Sequence, residues 1–293
     1  MNAQLRPLLM AVAGAAVLSS GGLLWLARDL FGSPSNAGSR PSLLEILEEV
    51  RQSPGALRQR PRATPTPPSQ AAWRPPMAGG ACGVIDPALE QRLELRRAAM
   101  EHRSGRIRVP IHSSNFGERF RRDAFGNRVD PTPRVVVLHE TVYGIGSAIN
   151  TFRTPHPRDE DQVSYHTLIG EDGLVVETLD SSRRAFGAGY SAFNGKWVVT
   201  NPEAGGSINN FALHLSLETP LDGEDEEKSH SGYTEAQYDA LAVVLAEWMR
   251  RYDIPPGHIT THRHVDLGGA RADPRSFDWS RLQMRLQALG ILC

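Results

Sequence analysis

The pattern of hydrophobic and polar positions predicts buried strands in the second half of the chain. Residues 134–139 (RVVVLH) form a short run of β-branched and aliphatic side chains that ends in histidine, which is typical of a buried strand. Residues 211–218 (FALHLSLE) alternate, so that the phenylalanine and the leucines face one side of a strand. Residues 163–169 and 174–179 flank the turn sequence GEDG and predict a hairpin.

Three segments have the apolar spacing and end signals of helices. Pro87 opens one that extends to about residue 103. Thr234 and Gln237 have the spacing of a capping box, and apolar residues follow at helical intervals to about residue 251. A last helix is predicted over 280–289. Because strands and helices are mixed along the chain, we expect an α/β fold: a single domain with a central mixed β-sheet flanked by helices.

The N-terminus predicts export. Residues 7–27 carry no charge, and Arg6 and Arg28 flank them. About 20 apolar residues span the roughly 30 Å core of a bilayer, so we interpret 1–30 as a signal anchor. A cleaved signal peptide is the alternative, because serine and glycine pairs at 19–22 weaken the centre. The arginines that follow oppose export under the positive-inside rule, and the function predicted below decides the orientation.

Residues 31–81 have the composition of a linker. Nine prolines fall between residues 31 and 80, with glycine, serine, glutamine and arginine between them. Such a composition buries too little apolar surface to fold, so we predict a disordered linker, interrupted by one amphipathic patch at 42–50. The folded domain is then assigned to 82–293.

Composition limits the kinds of ligand. The formal net charge of −1 gives no reason to expect nucleic acid as a partner. The two cysteines, Cys82 and Cys293, are too few for a cysteine-rich zinc module. They stand at the two ends of the predicted domain, either as a disulfide that joins those ends or as two unrelated thiols, and the sequence leaves both open. Any metal must therefore depend on His, Asp and Glu.

Metal-competent side chains stand at the ends of three predicted elements. His139 ends the VVVL strand, His262 or His264 follows the predicted strand 259–261, and Asp273 precedes Pro274. Zinc in a hydrolytic site takes three ligands of this kind and keeps its fourth position for water. Each of these residues also has an ordinary structural interpretation. On a strand, positions 262 and 264 would face the same side, so spacing leaves that choice open.

Five stretches, in this order and approximate spacing, resemble the zinc-dependent N-acetylmuramoyl-L-alanine amidases of type 2. They are VVVLHET, VSYHTLIGEDGLVVETLD, RRAFGAG, NNFALHLSLE and ITTHRHVDLGGARADPRSFDW. The family also includes the T7-type lysozymes and the peptidoglycan recognition proteins. The resemblance covers about residues 130–290 and does not extend to the first 80 residues.

The resemblance implies a cofactor, a substrate and a location. It implies that Zn²⁺ is bound by His139, His262 and Asp273, with His264 left beside the site. The implied reaction is hydrolysis of the amide bond between N-acetylmuramic acid and L-alanine, with peptidoglycan or muropeptides as partner. Because peptidoglycan lies outside the cytoplasmic membrane, we expect the domain on the periplasmic or extracellular side of the cell envelope, anchored in the inner membrane.

The chain departs from the family at two catalytic positions. Many members carry a glutamate where this strand has Ser216, and Glu218 lies about 7 Å further along. Arg271 stands where the family has a catalytic lysine, and it stays protonated. Tyr165 matches a tyrosine that the T7-type branch keeps near its zinc. The catalytic candidates are therefore Tyr165, Arg271 and, as the remaining carboxylate, Glu140 beside His139.

Two other functions stay open. A non-catalytic peptidoglycan-binding module of the same fold is favoured by the departures at Ser216 and Arg271. The intact His139, His262 and Asp273 favour an enzyme, because binding alone does not need three metal ligands. The third possibility is hydrolysis of another amide, such as a different muropeptide or a cytoplasmic recycling product. The predicted anchor argues against recycling.

Overall fold

The structure, a computed structural model, describes residues 62–77, 85–102, 104–225 and 227–292. They belong to one compact unit, which begins at Arg60. The predicted anchor, the predicted patch at 42–50, Cys82 and Cys293 lie outside the described residues. Within the described ranges, no helix is both long and apolar enough to cross a membrane.

Within the described residues, ten strands form three sheets. Their bounds are β1 Arg106–Arg108, β2 Phe116–Glu118, β3 Val135–Glu140, β4 Thr167–Ile169, β5 Val175–Glu177, β6 Arg183–Ala185, β7 Val198–Asn201, β8 Gly205–Ser207, β9 Ala212–Leu217 and β10 Ile259–Thr261. Six of them form the central sheet in the order β1-β5-β4-β9-β3-β10, and β2–β6 and β7–β8 are small antiparallel pairs. In the central sheet β4–β5 is the antiparallel hairpin, whereas β1–β5, β4–β9, β9–β3 and β3–β10 are parallel. The predicted mixed sheet is confirmed.

The part of the chain that the structure describes contains five α-helices around the central sheet. Their bounds are α1 Pro87–Glu101, α2 Ile145–Arg153, α3 Glu235–Tyr252, α4 His262–Val265 and α5 Trp279–Ala288. The three predicted helices correspond to α1, α3 and α5, and α3 begins with the predicted capping box of Thr234 and Gln237. The predictions did not include α2, whose N-terminus is held by a distant side chain: the Ile145 N–H donates to Glu218 Oε1 at 2.6 Å.

The two faces of the sheet have different neighbours. Helices α1, α3 and α5 share one apolar core with Val136 and Leu138 of β3 and with the three leucines of β9. Strand alternation therefore turns His139 and its neighbours on β9, His214 and Ser216, to the opposite face. All three of these polar residues are fully buried. The predicted alternation of FALHLSLE is confirmed, and it places polar chemistry on the side away from the three helices.

Ion pairs connect those three helices to one another. Asp239 on α3 accepts from Arg285 Nε on α5 at 2.7 Å and from Arg92 Nε on α1 at 2.6 Å. Arg285 is only 2% exposed, so its positive charge is not solvated by water. Asp239 and Glu235, its two carboxylate partners, stabilise that charge instead. The helical layer is thus fixed by charge as well as by apolar packing, which gives the sheet a rigid support.

Residues 62–77, which we call the strap, lie against the folded domain, and the prediction of a disordered linker over 31–81 is wrong for them. Every third residue from Thr64 to Trp73 is partly buried, a period of three that matches polyproline II conformation. Trp73 Nε1–H donates to the Ile259 carbonyl at 2.7 Å. In the other direction, Trp197 Nε1–H donates to the Pro65 carbonyl at 2.8 Å. Proline stiffness lowers the entropic cost of ordering this segment, so a few contacts suffice.

Candidate functional site

The structure brings His139, His262 and Asp273 together at the end of β3. Their possible ligand atoms all lie within 4.8 Å of one another. Asp273 Oδ2 is 3.2 Å from His139 Nδ1 and 3.1 Å from His262 Nδ1. The β3 and β10 strands are parallel neighbours, so the residues at their C-terminal ends meet at one edge of the sheet. The three residues predicted as metal ligands are therefore neighbours in space.

His262 and His264 point in different directions. The prediction that they face the same side is wrong, because β10 ends at Thr261 and α4 begins at His262. Residues on a helix are rotated by about 100° each, so two positions apart they diverge. The His262 ring lies 4.6 Å from that of His139, whereas His264 lies 4.3 Å from the ring of Trp73 in the strap. Of the two histidines, His262 is therefore the one that lies beside His139 and Asp273.

A tight loop places Asp273 and Arg271. Asp266 caps it, since its carboxylate accepts the N–H groups of Gly268, Ala270 and Arg271 at 3.1, 2.7 and 3.0 Å. Asp266 thus fixes the course of the chain between α4 and Asp273. The Asp273 carbonyl then accepts the N–H of Arg263 at 3.0 Å, which closes the loop against α4. Sequence-local hydrogen bonds therefore position both residues.

The donor set fits zinc. Burial lowers the pKa of His139 to about 4, which keeps its imidazole neutral at physiological pH. Burial alone would raise the pKa of Asp273, but hydrogen bonds from His139 and His262 prevail and lower it below its ordinary value. Two neutral imidazoles and one carboxylate are the ligands of many hydrolytic zinc sites. At zinc–ligand distances of about 2.0–2.1 Å, two tetrahedral ligands lie about 3.3 Å apart, close to the separations here.

A cleft of about 330 Å³ opens beside these residues. Tyr165, His262, Arg271 and Asp273 are among the residues that line it. The Tyr165 ring stacks on His139 with 4.2 Å between ring centroids and 22° between planes. Burial raises the pKa of Tyr165 well above its ordinary value, so the hydroxyl keeps its proton. Tyr165 and Arg271, both predicted from the sequence, therefore line the same cleft, and each side chain carries a hydrogen-bond donor.

A family model for the N-acetylmuramoyl-L-alanine amidases matches residues 129–276, half of the chain, including all of these residues. The chain belongs to the N-acetylmuramoyl-L-alanine amidase family. The 1,6-anhydro-N-acetylmuramyl-L-alanine amidase AmpD of Citrobacter freundii is 32% identical over 123 residues, which are 42% of this chain and 56% of that protein. The protein of the same name from Escherichia coli K12 is 30% identical over 124 residues, 42% of this chain and 58% of its own. This chain thus spans little more than half the length of these relatives.

Solved structures of amidases are also similar. A crystal structure of an AmpD derivative is 25% identical, with a TM-score of 0.47 over 62% of this chain and 95% of that one. The amidase AmiD of Escherichia coli, solved with anhydro-N-acetylmuramic acid-L-Ala-D-gamma-Glu-L-Lys, is 21% identical, with a TM-score of 0.43 over 58% of this chain and 65% of its own.

The strand position next to His139 holds a serine and not a carboxylate. Ser216 on β9 pairs directly with His139 on β3. The correspondence of Ser216 with the glutamate of other family members stays a prediction from the resemblance. Glu218 does not replace that glutamate. Its two oxygens accept the N–H groups of Ile145 and Glu171 at 2.6 and 2.9 Å, and so hold the start of α2 and the β4–β5 turn.

Glu140 lines the cleft, and both of its carboxylate oxygens accept hydrogen bonds from neighbouring residues. Its Oε2 accepts from the Tyr233 hydroxyl at 2.5 Å and from the Arg275 N–H at 2.8 Å, and its Oε1 accepts from Arg275 Nε at 2.5 Å. The Arg275 guanidinium in turn donates to the carbonyls of Gly223 and Glu227. Sequence reasoning missed Arg275, because its partners lie about 50 and 135 positions away. Catalysis by Glu140 stays a prediction.

His214 was also missed as a member of the site. It lies on β9, and its Nδ1 is 3.0 Å from His139 Nε2. The alternation of FALHLSLE does place it on the same face as Ser216, but alternation alone does not say which residue of a neighbouring strand it meets. The contact depends on the register in which Val137 of β3 pairs with His214.

Proposed function

We propose that this protein is a zinc-dependent amidase that hydrolyses the bond between N-acetylmuramic acid and L-alanine in peptidoglycan or in muropeptides released from it. The convergence of His139, His262 and Asp273 at a cleft carries this proposal, since muropeptide binding alone does not require three metal ligands within 4.8 Å. Family membership and relatives that are named as amidases of 1,6-anhydro-muropeptides support the same substrate class.

The reaction adds water across an amide. The water oxygen bonds to the lactyl carbonyl carbon, the C–N bond breaks, and the alanine nitrogen leaves with a proton as the free amino end of the stem peptide. Zinc, when bound by the two histidines and the aspartate, supplies Lewis-acid chemistry that activates water and polarises the carbonyl. Asp273 remains ionised and His139 neutral, so both offer lone pairs in the physiological range.

Tyr165 and Arg271 stabilise the negative charge that develops on the carbonyl oxygen. Both line the cleft, and each offers a donor: the phenol hydroxyl of Tyr165 and the guanidinium of Arg271. Because Arg271 stays protonated, it contributes charge and hydrogen bonds but carries no proton between atoms. A donor of this kind contributes about 3 kcal/mol to transition-state stabilisation in a dry site.

A non-catalytic peptidoglycan receptor is the second candidate, and Ser216 is the observation that favours it. The full-length chain should be incubated with intact peptidoglycan sacculi and, separately, with soluble 1,6-anhydro-muropeptides, and the products should be separated by chromatography. We expect free stem peptides from at least one substrate, and the pattern identifies wall or fragments as the preferred form. Sedimentation of the chain with uncut sacculi, together with intact muropeptides, would establish the receptor and reject the amidase.

We further propose that residues 7–27 anchor the protein in the inner membrane, with the domain on the outer side, where peptidoglycan lies. The uncharged run and the substrate class support this location. Membrane fractionation of cells that express the full-length chain, followed by protease treatment of intact spheroplasts, tests it. We expect a membrane-bound protein whose domain is digested from outside. A protein that fractionates with the cytosol and resists the protease would contradict the proposal.

A further inference from the structure

His214 contacts the nitrogen of His139 that Asp273 does not contact. His139 Nδ1 lies 3.2 Å from Asp273 Oδ2, and His139 Nε2 lies 3.0 Å from His214 Nδ1. Both rings have no solvent exposure, so water does not compete for either contact. The orientation of the His139 ring is therefore held at both of its nitrogens by protein groups.

The contact links the proton positions of the two rings, because one of the two nitrogens must donate and the other must accept. If His139 Nδ1 offers its lone pair to a metal, the ring proton must be on Nε2, which then donates to His214 Nδ1. His214 must in turn carry its own proton on Nε2. That atom is buried and has no hydrogen-bond partner among the residues that the structure describes. Nothing in the described region thus offers an acceptor that would draw the His214 ring away from His139.

The surroundings of His214 fix its position from the other sides. The backbone N–H of His214 donates to His166 Nδ1 at 3.0 Å, and the two imidazoles stack with 6.0 Å between centroids and 3° between planes. A Cβ atom at Gly187 would lie 2.3 Å from His214 Nδ1, so only glycine leaves space for the ring there. The His214 imidazole therefore packs directly against backbone and presents Nδ1 to His139.

We propose that His214 is a positioning residue for the metal centre: its Nδ1 accepts a hydrogen bond from the Nε2–H of His139 and so leaves the lone pair of His139 Nδ1 free to bind the metal. This inference rests on the proposed zinc function. Metal-binding histidines commonly donate their second N–H to a carboxylate, a carbonyl or water, and removal of that partner weakens metal binding about 10–100-fold. Here an imidazole performs this role. His214 does not act on substrate, because it lies behind His139 and not among the residues of the cleft.

Two variants distinguish the effect of the hydrogen-bond acceptor of His214 from the effect of the volume that its side chain fills. In His214→Asn the amide oxygen replaces Nδ1 at about the same distance along the side chain, whereas His214→Leu fills similar space without an acceptor. Zinc affinity of the full-length chain, measured by competition with a chromophoric chelator, should fall about 10–100-fold in His214→Leu. We expect the His214→Asn variant to stay within about threefold of the wild type, because it keeps the hydrogen bond.

A second measurement does not depend on any variant. Long-range ¹H–¹⁵N NMR of the zinc-loaded wild type should show both His139 and His214 protonated on Nε2. Protonation of His214 on Nδ1, or wild-type zinc affinity in a folded His214→Leu variant, would overturn the proposal. Zinc binding does not require hydrolysis. A wild type that binds zinc with the expected tautomers but cleaves nothing would therefore contradict the proposed function alone, and active His214→Leu with normal affinity would contradict this inference alone.

Discussion

His262 and His264 lie on one turn of α4 but contact different partners, and this difference is testable. His262→Ala removes one of three converging donors, so we expect the purified protein to lose its zinc. His264→Ala removes a ring contact with Trp73, which contributes about 1 kcal/mol to stability, and should retain one zinc per chain. Elemental analysis of both variants measures this. Loss of zinc from His264→Ala, with retention in His262→Ala, would show that the ligand assignment is reversed.

A substitution at Tyr165 tests the proposed chemistry without changing a proposed metal ligand. Tyr165→Phe keeps the ring that stacks on His139 and removes only the hydroxyl donor. We expect kcat to fall about 100-fold, with zinc content unchanged, because a donor to the developing oxyanion acts in the transition state. Steady-state hydrolysis of a muropeptide measures the effect. A Tyr165→Phe variant with wild-type kcat would exclude this role.

The buried histidines predict how stability depends on pH. Burial lowers the pKa of His139 to about 4 and that of His166 to about 3, whereas the ordinary value is 6.5. In the zinc-free protein the unfolded chain therefore binds more protons between pH 6.5 and pH 4, and the free energy of unfolding decreases as the pH falls. From pH 7 to pH 5 the loss is about 2 kcal/mol for each histidine.

Urea denaturation of the zinc-free protein at pH 7 and pH 5 tests this dependence. The control is His166→Gln, which should be less stable at pH 7 but should lose about 2 kcal/mol less than the wild type on acidification. Equal free energies of unfolding at the two pH values in the wild type would show that these imidazoles are not held neutral.

Among the elements, the strap is the one whose contribution to the stability of the fold is hardest to predict from composition. Trp73 contacts His264 and Trp279 by its ring, and its indole N–H donates to the Ile259 carbonyl on β10. Trp73→Ala should lower the free energy of unfolding by about 2 kcal/mol, less than for a fully buried tryptophan because Trp73 is partly exposed. Arg74→Ala, at an exposed neighbouring position, is the matched control and should change it by less than about 0.5 kcal/mol.

Chemical denaturation of both variants in the full-length chain measures the difference. If Trp73→Ala and Arg74→Ala were equally stable, the strap would contribute nothing to the fold, and the original interpretation of this segment as an independent linker would be restored.

Elements with their own local signals could be predicted, and elements defined by distant partners could not. The signals that predict the helix at Thr234 and the strand before Glu218, a capping box and an alternation, each lie within a few neighbouring residues. The start of α2 is different, because the acceptor for Ile145 is Glu218, 73 positions away. The strap was missed for a related reason: composition reports what a segment can bury alone, whereas Trp73 is covered by residues about 190 positions later.

At the scale of the whole molecule, the order of the parallel strands explains why the site was partly predictable. The β3 and β10 strands are adjacent and parallel, so His139 and the segment that follows Thr261 meet at one edge. The resemblance supplied the ligand identities, and no pattern within the chain could choose between His262 and His264 until the strand was seen to end at Thr261. Prediction of the contact between His214 and His139 required the register of β3 against β9, which only the folded structure provides.

The proposed function depends on a metal centre at His139, His262 and Asp273 that hydrolyses the muramoyl–alanine amide. The most direct test is mass spectrometry of peptidoglycan digested with the full-length protein as purified, after chelation, and after zinc is restored. We expect stem peptides with a free L-alanine amino end that disappear with the chelator and return with zinc. Release of the same peptides by the fully chelated protein, or no release by the zinc-loaded protein, would contradict the account.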